Sequence, residues 1–254
     1  MNFENIGKVV AKVVNENDKK KDKIISVSDK TDDLDNPMKK IVLTKSFETI
    51  QQIPNKQQER QILYITGASG SGKSYYTQAY CKEYKKLYPK NEIYLFSSIN
   101  EDSSIDKIKG LNRFILDDVF MKEELSVDDF KDSMVIFDDT DVISNKALKN
   151  KINSILNQLL EVGRHKNCSV CLTFHLPTAG LETKRILNEA HSITIFPSSL
   201  GGRSLKYLLD NYLGLDKEQI KKIKNINSRW VTICKTYPMV VLSEKEVYLL
   251  KNDD

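Results

Sequence analysis

The chain has no apolar run approaching the roughly 20 residues that a membrane-spanning helix needs; its longest apolar stretches are of strand length. Its opening residues, Met1-Asn-Phe-Glu-Asn5, also lack the pattern of a secretory leader. A soluble, intracellular protein is expected. Cysteine is equally sparse, with Cys81, Cys168, Cys171 and Cys234 scattered along 254 residues. That usage fits a reducing compartment rather than a disulfide-stapled scaffold. Cys168 and Cys171 form one Cys-x-x-Cys, but they sit in the apolar run Ser169-Val-Cys-Leu-Thr-Phe174. A metal or redox pair would need a turn or helix start and, for a metal, further ligands, so a buried strand is the simpler reading.

Arginine is scarce too: of 39 basic residues only Arg60, Arg113, Arg164, Arg185, Arg203 and Arg229 are arginine, which makes each worth weighing. Basic and acidic residues nearly balance, for a formal charge of +4, and they are interspersed. Charge alone therefore does not select nucleic acid as the partner.

What the chain does contain is a complete phosphate-binding loop. The strand-like Ile62 to Ile65 runs into Gly67, Ala68, Ser69, Gly70, Ser71, Gly72, Lys73 and Ser74, and a helical stretch follows as far as Pro89. Glycines at this spacing let successive N–H groups aim at a polyphosphate, and the following helix N-terminus adds partial positive charge. Lys73 is placed for the β and γ phosphates and Ser74 for Mg²⁺, so ATP and Mg²⁺ are the expected cofactors.

Around the loop, strand and helix signals alternate. Strands are expected over Glu92 to Ser97, Met134 to Phe137, Ser169 to Phe174 and Ser192 to Phe196, with helices over Asn145 to Val162 and Leu181 to Glu189. Such alternation predicts an α/β fold with a mainly parallel sheet flanked by helices. Residues 1–40 are rich in Lys, Asp and Asn and read as a mobile arm. The P-loop core is expected over 41–200, with a strand at Ile41 to Leu43 and a helical turn at Phe47 to Ile53. Residues 201–254 read as a helical and β-rich extension of the same domain.

Nucleotide hydrolysis also needs an acid at the end of a neighbouring strand. Met134-Val-Ile-Phe-Asp138-Asp139 supplies two, Asp138 for the metal and Asp139 to polarise water. Arg113-Phe-Ile-Leu-Asp117-Asp118 has a similar form, but only the later pair is followed by a helix and another apolar strand in regular crossover order. His175 leaves the next strand, either as a sensor of the γ phosphate or as a strand cap, with Thr173 as the nearby substitute. His165 and His191 read as structural or exposed.

These segments, together with Gly163-Arg-His-Lys-Asn and Lys184-Arg-Ile-Leu-Asn-Glu-Ala-His, resemble the DNA-packaging ATPases of nucleocytoplasmic large DNA viruses and virophages. Those proteins form the poxvirus-type branch of the FtsK/HerA superfamily, and the resemblance covers roughly residues 60 to 200. It implies a RecA-like core with an extra strand between the two Walker strands, a homo-oligomeric ring, and ATP-driven threading of double-stranded DNA into a preformed capsid. It further implies a capsid or portal partner, and the host cytoplasm or the virion as the setting. The family commonly carries Gln where this chain has His175, and superfamily members often carry Asp-Glu where it has Asp138-Asp139.

Ring ATPases of this kind borrow an arginine from the neighbouring subunit; Arg164 and Arg185 are the candidates, with Arg203 behind them. Each could instead pair with a surface carboxylate such as Glu161 or Glu182. Sequence-independent phosphate contacts would fall to lysines such as Lys146, Lys149, Lys151 and Lys166. A nucleoside or nucleotide kinase and a nucleotide-dependent switch are the rival readings. The lack of an arginine-rich lid argues against the first, and retention of both acids against the second.

Overall fold

In a computed structural model, described over residues 1–18, 22–28 and 38–250, the loop strand β5 (Ile62–Thr66) is buried at every position. Burial on both faces explains why it reads as a continuous apolar run rather than an alternating one. It lies inside a ten-stranded sheet whose parallel part runs β10-β5-β9-β8-β6-β7. These strands are β6 (Glu92–Ser97), β7 (Leu111–Ile115), β8 (Ser133–Asp138), β9 (Ser169–Phe174) and β10 (Ser192–Ile195). β9 separates the loop strand from the acid strand β8.

Side-chain alternation divides the core. Leu63 and Ile65 face α1 (Lys73–Leu87), whose Tyr76, Tyr80 and Tyr84 are buried there. Ile62 and Tyr64 face the other layer, which holds α2 (Lys146–Val162), α3 (Leu181–Glu189), α4 (Gly202–Tyr207) and α5 (Lys217–Lys224). Asn145 starts α2 by accepting from the backbone N–H groups of Ala147 and Leu148 at 3.0 and 3.2 Å. At the other end Arg60, 8 % exposed, donates to the Leu159 and Leu160 carbonyls at 2.7 and 2.8 Å. A Cβ at Gly163 would lie 3.2 Å from that guanidinium, which gives the Gly163 position its reason.

Cys168 and Cys171 are three residues apart and therefore belong to opposite faces of the sheet, one in each core layer. Burial pushes their thiols up to about 11 and about 12. They are packing residues.

The sequence-based expectation of an arm over residues 1–40 does not hold for its described part. β1 (Lys8–Asn15) and β2 (Lys23–Val27) pair with each other, and β1 also pairs with β4 (Glu48–Gln52), to make a second, antiparallel sheet. Val10, Ala11, Val13 and Ile25 pack against Val240, Leu242 and Val247. Those partners lie on β12 (Val240–Ser243) and β13 (Glu246–Leu249), which with β11 (Val231–Cys234) and β3 (Lys40–Val42) extend the large sheet antiparallel beyond β10. Of the 201–254 extension, α4 and α5 pack in the helical layer, while β11 to β13 form a wing of the main sheet that the N-terminal strands cover. Residues 19–21, 29–37 and 251–254 lie outside the described structure.

The helical turn expected over Phe47 to Ile53 is strand β4 instead. Its inward Gln52 is polar, satisfied by Tyr76 Oη at 2.7 Å and Ser192 Oγ at 2.9 Å, so hydrophobic periodicity could not reveal it.

His191 connects α3 to β10. Its Nδ1 accepts the Ile62 backbone N–H at 2.9 Å, which requires an unprotonated nitrogen. Burial, helped by the Arg60 and Lys235 charges, lowers the imidazole to about 4 from an ordinary 6.5. Between those values the unfolded chain binds the proton and the folded chain does not. The stability His191 contributes is therefore fully present above pH 6.5 and is lost as pH falls toward 4. Urea unfolding at successive pH values should show wild type losing ~2 to 3 kcal/mol more over this window than His191→Gln does; equal losses would remove the assignment.

Candidate nucleotide-binding site

The loop leaves β5 at the carboxyl end of the parallel strands, where open α/β sheets place their ligands. Gly70 and Gly72 hold φ of 73° and 116°, a region that disfavours side chains. A Cβ at Gly67 would meet Ser71 Oγ at 2.7 Å. Gly67 N–H donates to the Phe174 carbonyl at 3.1 Å and Ala68 N–H to Ser199 Oγ at 3.2 Å, so neighbouring strand ends fix the loop. Lys73, 6 % exposed, turns back over the loop and donates to the Gly67 carbonyl at 3.0 Å.

The acids arrive two strands away. Asp138 is the last residue of β8, and the Thr173 hydroxyl donates to its Oδ1 at 2.5 Å. Ser97 Oγ lies 3.3 Å from its other oxygen. Burial raises the Asp138 carboxyl above its usual value. Asp139 turns out of the strand with φ of 48° and is tied by its N–H to the Thr173 carbonyl at 2.9 Å. Its Oδ1 is 3.3 Å from Lys73 Nζ and 3.5 Å from His175 Nδ1. Burial raises this carboxyl too, against the opposing pull of Lys73 and His175. Lys73, Asp139 and His175 therefore meet, and the Thr173 hydroxyl is committed to Asp138 rather than left free as a sensor.

Asp141 completes the group and was not singled out from the sequence. Its side chain is 4 % exposed, its Oδ2 accepts the His175 N–H at 2.9 Å, and its Oδ1 is 3.6 Å from His175 Nδ1. Only the Asp-x-Asp spacing after the acid strand could have hinted at it. Asp139, Asp141 and His175 each bring a ligand atom within 4.8 Å of the others. Lys73 already supplies positive charge at the Asp139 oxygen.

The residues fit a nucleoside triphosphate with Mg²⁺. Ser71 Oγ, Asp139 Oδ1, Asp141 Oδ1 and His175 Nδ1 are buried at this end of the sheet with no hydrogen-bond partner in the protein. The loop N–H groups and Lys73 would hold the phosphates, and Ser74 and Asp138 the metal.

The other expected residues lie elsewhere. Asp117, the similar acid, follows the edge strand β7 and accepts the Val119 and Phe120 N–H groups at 2.9 Å as a turn cap. Arg164 and Arg185 line one cleft with Arg60 toward the amino ends of the strands, opposite the loop. Arg164 pairs with Glu59 at 2.8 Å and Arg185 with Glu161 at 2.6 Å. The arginine that reaches the loop is Arg229, whose Nε donates to the Ser71 carbonyl at 2.9 Å. Three of the lysines considered for DNA contact have partners within the chain: Lys149 with Glu182, Lys151 with the Phe120 carbonyl, and Lys166 with Asp128. Among the described residues no helix is long and apolar enough to cross a membrane.

No family model matches the chain. Protein V3 of Sputnik virophage, itself described as uncharacterized, is 41 % identical over 187 residues, covering 73 % of this chain and 75 % of V3. Among solved structures, the DNA-packaging ATPase B204 of Sulfolobus turreted icosahedral virus superposes with a TM-score of 0.50 at 16 % identity. That match covers 73 % of this chain and 98 % of B204. The cytoplasmic domain of the type VII secretion ATPase EccC of Thermomonospora curvata also gives a TM-score of 0.50, at 10 % identity, over 90 % of this chain and 31 % of EccC. The fold is that of the P-loop ATPases, as the resemblance noted in the sequence implied, and the chain belongs to the virophage protein family of V3.

Proposed function

We propose that the protein is the ATP-hydrolysing motor that drives double-stranded viral DNA into a preformed capsid. The observation that carries the ATPase half is the meeting of Lys73, Asp139 and His175 over the phosphate loop. Kinship with a virophage protein and a fold shared with a DNA-packaging ATPase support the motor half.

In this reading the loop amides and Lys73 bind the β and γ phosphates, and Ser74 and Asp138 hold Mg²⁺, which when bound offsets phosphate charge. Asp139, partly buried and turned toward Lys73, orients the attacking water and receives its proton on Oδ1. Asp141 grips the backbone at His175 and faces its Nδ1, so the ring is aimed rather than free. A shorter carboxylate than Glu serves as base because the left-handed backbone at Asp139 carries it beyond the strand end.

Arg164 and Arg185 lie at the wrong end of the strands to reach their own loop. As charge-neutralising fingers they act only across a subunit boundary, in a homo-oligomeric ring that docks on a capsid or portal protein. DNA is held through its phosphates without regard to sequence.

ATP turnover measured with and without duplex DNA separates the readings. The motor requires strong stimulation by DNA that weakens as salt rises, and Lys73→Ala should lower turnover about 10²-fold or more. Phosphorylation of added nucleosides would instead identify a kinase, and absence of turnover a switch. Asp141→Asn keeps the backbone acceptor but removes the charge facing His175; about a tenfold fall in kcat with KM for ATP unchanged is expected, on the scale of losing an outer partner that orients a site residue. No change in kcat would leave Asp141 a purely structural cap. Mixed assemblies of Arg185→Ala or Arg164→Ala subunits with Lys73→Ala subunits should recover part of the lost hydrolysis. No recovery at any mixing ratio would exclude both as fingers.

A further inference from the structure

Beside the phosphate loop lies a cleft that the phosphates and Mg²⁺ do not use. It encloses about 250 Å³ and runs from Gly72 between α1 and β4. Its walls come from three parts of the chain that the loop motif says nothing about. Tyr75, the residue after the metal-binding Ser74, is 69 % exposed and stands at its edge. Trp230 and Arg229 approach from the turn before β11, and Gln51 from β4.

Arg229 joins this cleft to the loop. Its Nε donates to the Ser71 carbonyl at 2.9 Å, and its own N–H is held by Glu244 Oε2 at 3.1 Å. A Cβ at Gly72 would stand 3.3 Å from Arg229 Nε, so the guanidinium lies directly against the loop. Glu244 also accepts from Ser228 Oγ at 3.2 Å, fixing the turn that carries Arg229 and Trp230. Trp230 is braced edge-on by Tyr76 at a centroid distance of 5.1 Å. Gln51 anchors its amide nitrogen on the Ala79 carbonyl at 3.0 Å, a bond that does not use its amide oxygen.

Flat aromatic surface, a guanidinium plane and hydrogen-bond acceptors are the groups that recognise a nucleobase: every base has a π face, and bases stack on Tyr, Trp and Arg. The cleft is continuous with the triphosphate site at Gly72, so a nucleotide whose phosphates occupy the loop can extend its ribose and base into it. We infer that this cleft is the nucleobase subsite, with Tyr75 and Arg229 as its stacking groups and Gln51 as an acceptor for base N–H. The inference rests on the ATPase reading and gives the N-terminal sheet and the C-terminal wing a function, since each lends the cleft a wall.

Trp230 is the chain's single tryptophan, so its emission reports on the cleft alone. With Mg²⁺ present, ATP should change Trp230 emission, whereas inorganic tripolyphosphate should compete with ATP yet leave the emission unaltered. Tyr75→Ala, at an exposed position that the core does not need, should weaken ATP binding about tenfold, leave tripolyphosphate binding unchanged, and be rescued by Tyr75→Phe. Arg229→Met also releases the Ser71 carbonyl, so it should weaken both ligands, and ATP more than tripolyphosphate. The subsite is overturned if ATP binds with Trp230 silent, or if Tyr75→Ala weakens ATP and tripolyphosphate equally. Failure of both ligands to bind wild type would overturn the ATPase reading itself, and the subsite with it.

Discussion

The parallel pairing of β5, β9 and β8 is the constraint on which the rest depends. Its register sets Thr66 beside Phe174 and Thr173 beside Asp138, so three strands end at one level. Chain segments separated by about a hundred residues then deliver a phosphate loop, a pair of acids and a histidine to one place. Thr173 translates the register into chemistry. Its hydroxyl holds Asp138 and its carbonyl holds the Asp139 N–H, so a shift of one residue in β9 would disengage both acids.

The charged and polar groups around that point form a chain. Lys73 is turned onto the loop carbonyl of Gly67 and faces Asp139, which faces His175, which faces Asp141. Several of these atoms are buried without hydrogen-bond partners, a cost that native folds accept where a ligand relieves it. Lys73 thus bridges the Gly67 carbonyl and the Asp139 carboxylate.

The flanking structure is more than support. The N-terminal sheet covers the antiparallel wing, and the wing sends Arg229 back to Ser71, so the ends of the chain brace the loop in its middle. Arg60 does the corresponding work at the far end, where its two bonds to α2 carbonyls hold the Gly163 turn that carries Arg164. The two ends of the sheet thus differ in kind. One gathers orphaned polar atoms, while the other presents arginines already paired with surface carboxylates.

The sequence alone determined what depends on neighbours along the chain. Gly67 to Ser74, the apolar β8 followed by Asp138-Asp139, the helix started by Asn145 and the buried strand through Cys171 are all local patterns, because loop torsions, strand burial and helix caps are set within a few residues. Tertiary structure decided the rest. Residues 8–15 read as part of a polar arm because their apolar partners on β12 and β13 lie more than 200 positions away. Gln52 disguised a strand because its partners, Tyr76 and Ser192, lie 24 and 140 positions away, beyond the reach of local pattern. Asp141 and Arg229 gain their meaning only when β9 and the β11 turn are folded against the loop. Arg164 and Arg185 lay in motif-like segments, yet the direction of β9 and the return of α3 carried them to the opposite end of the sheet. Pairing between distant segments obeys backbone hydrogen bonding and burial rather than local pattern, and it alone settles which charges meet.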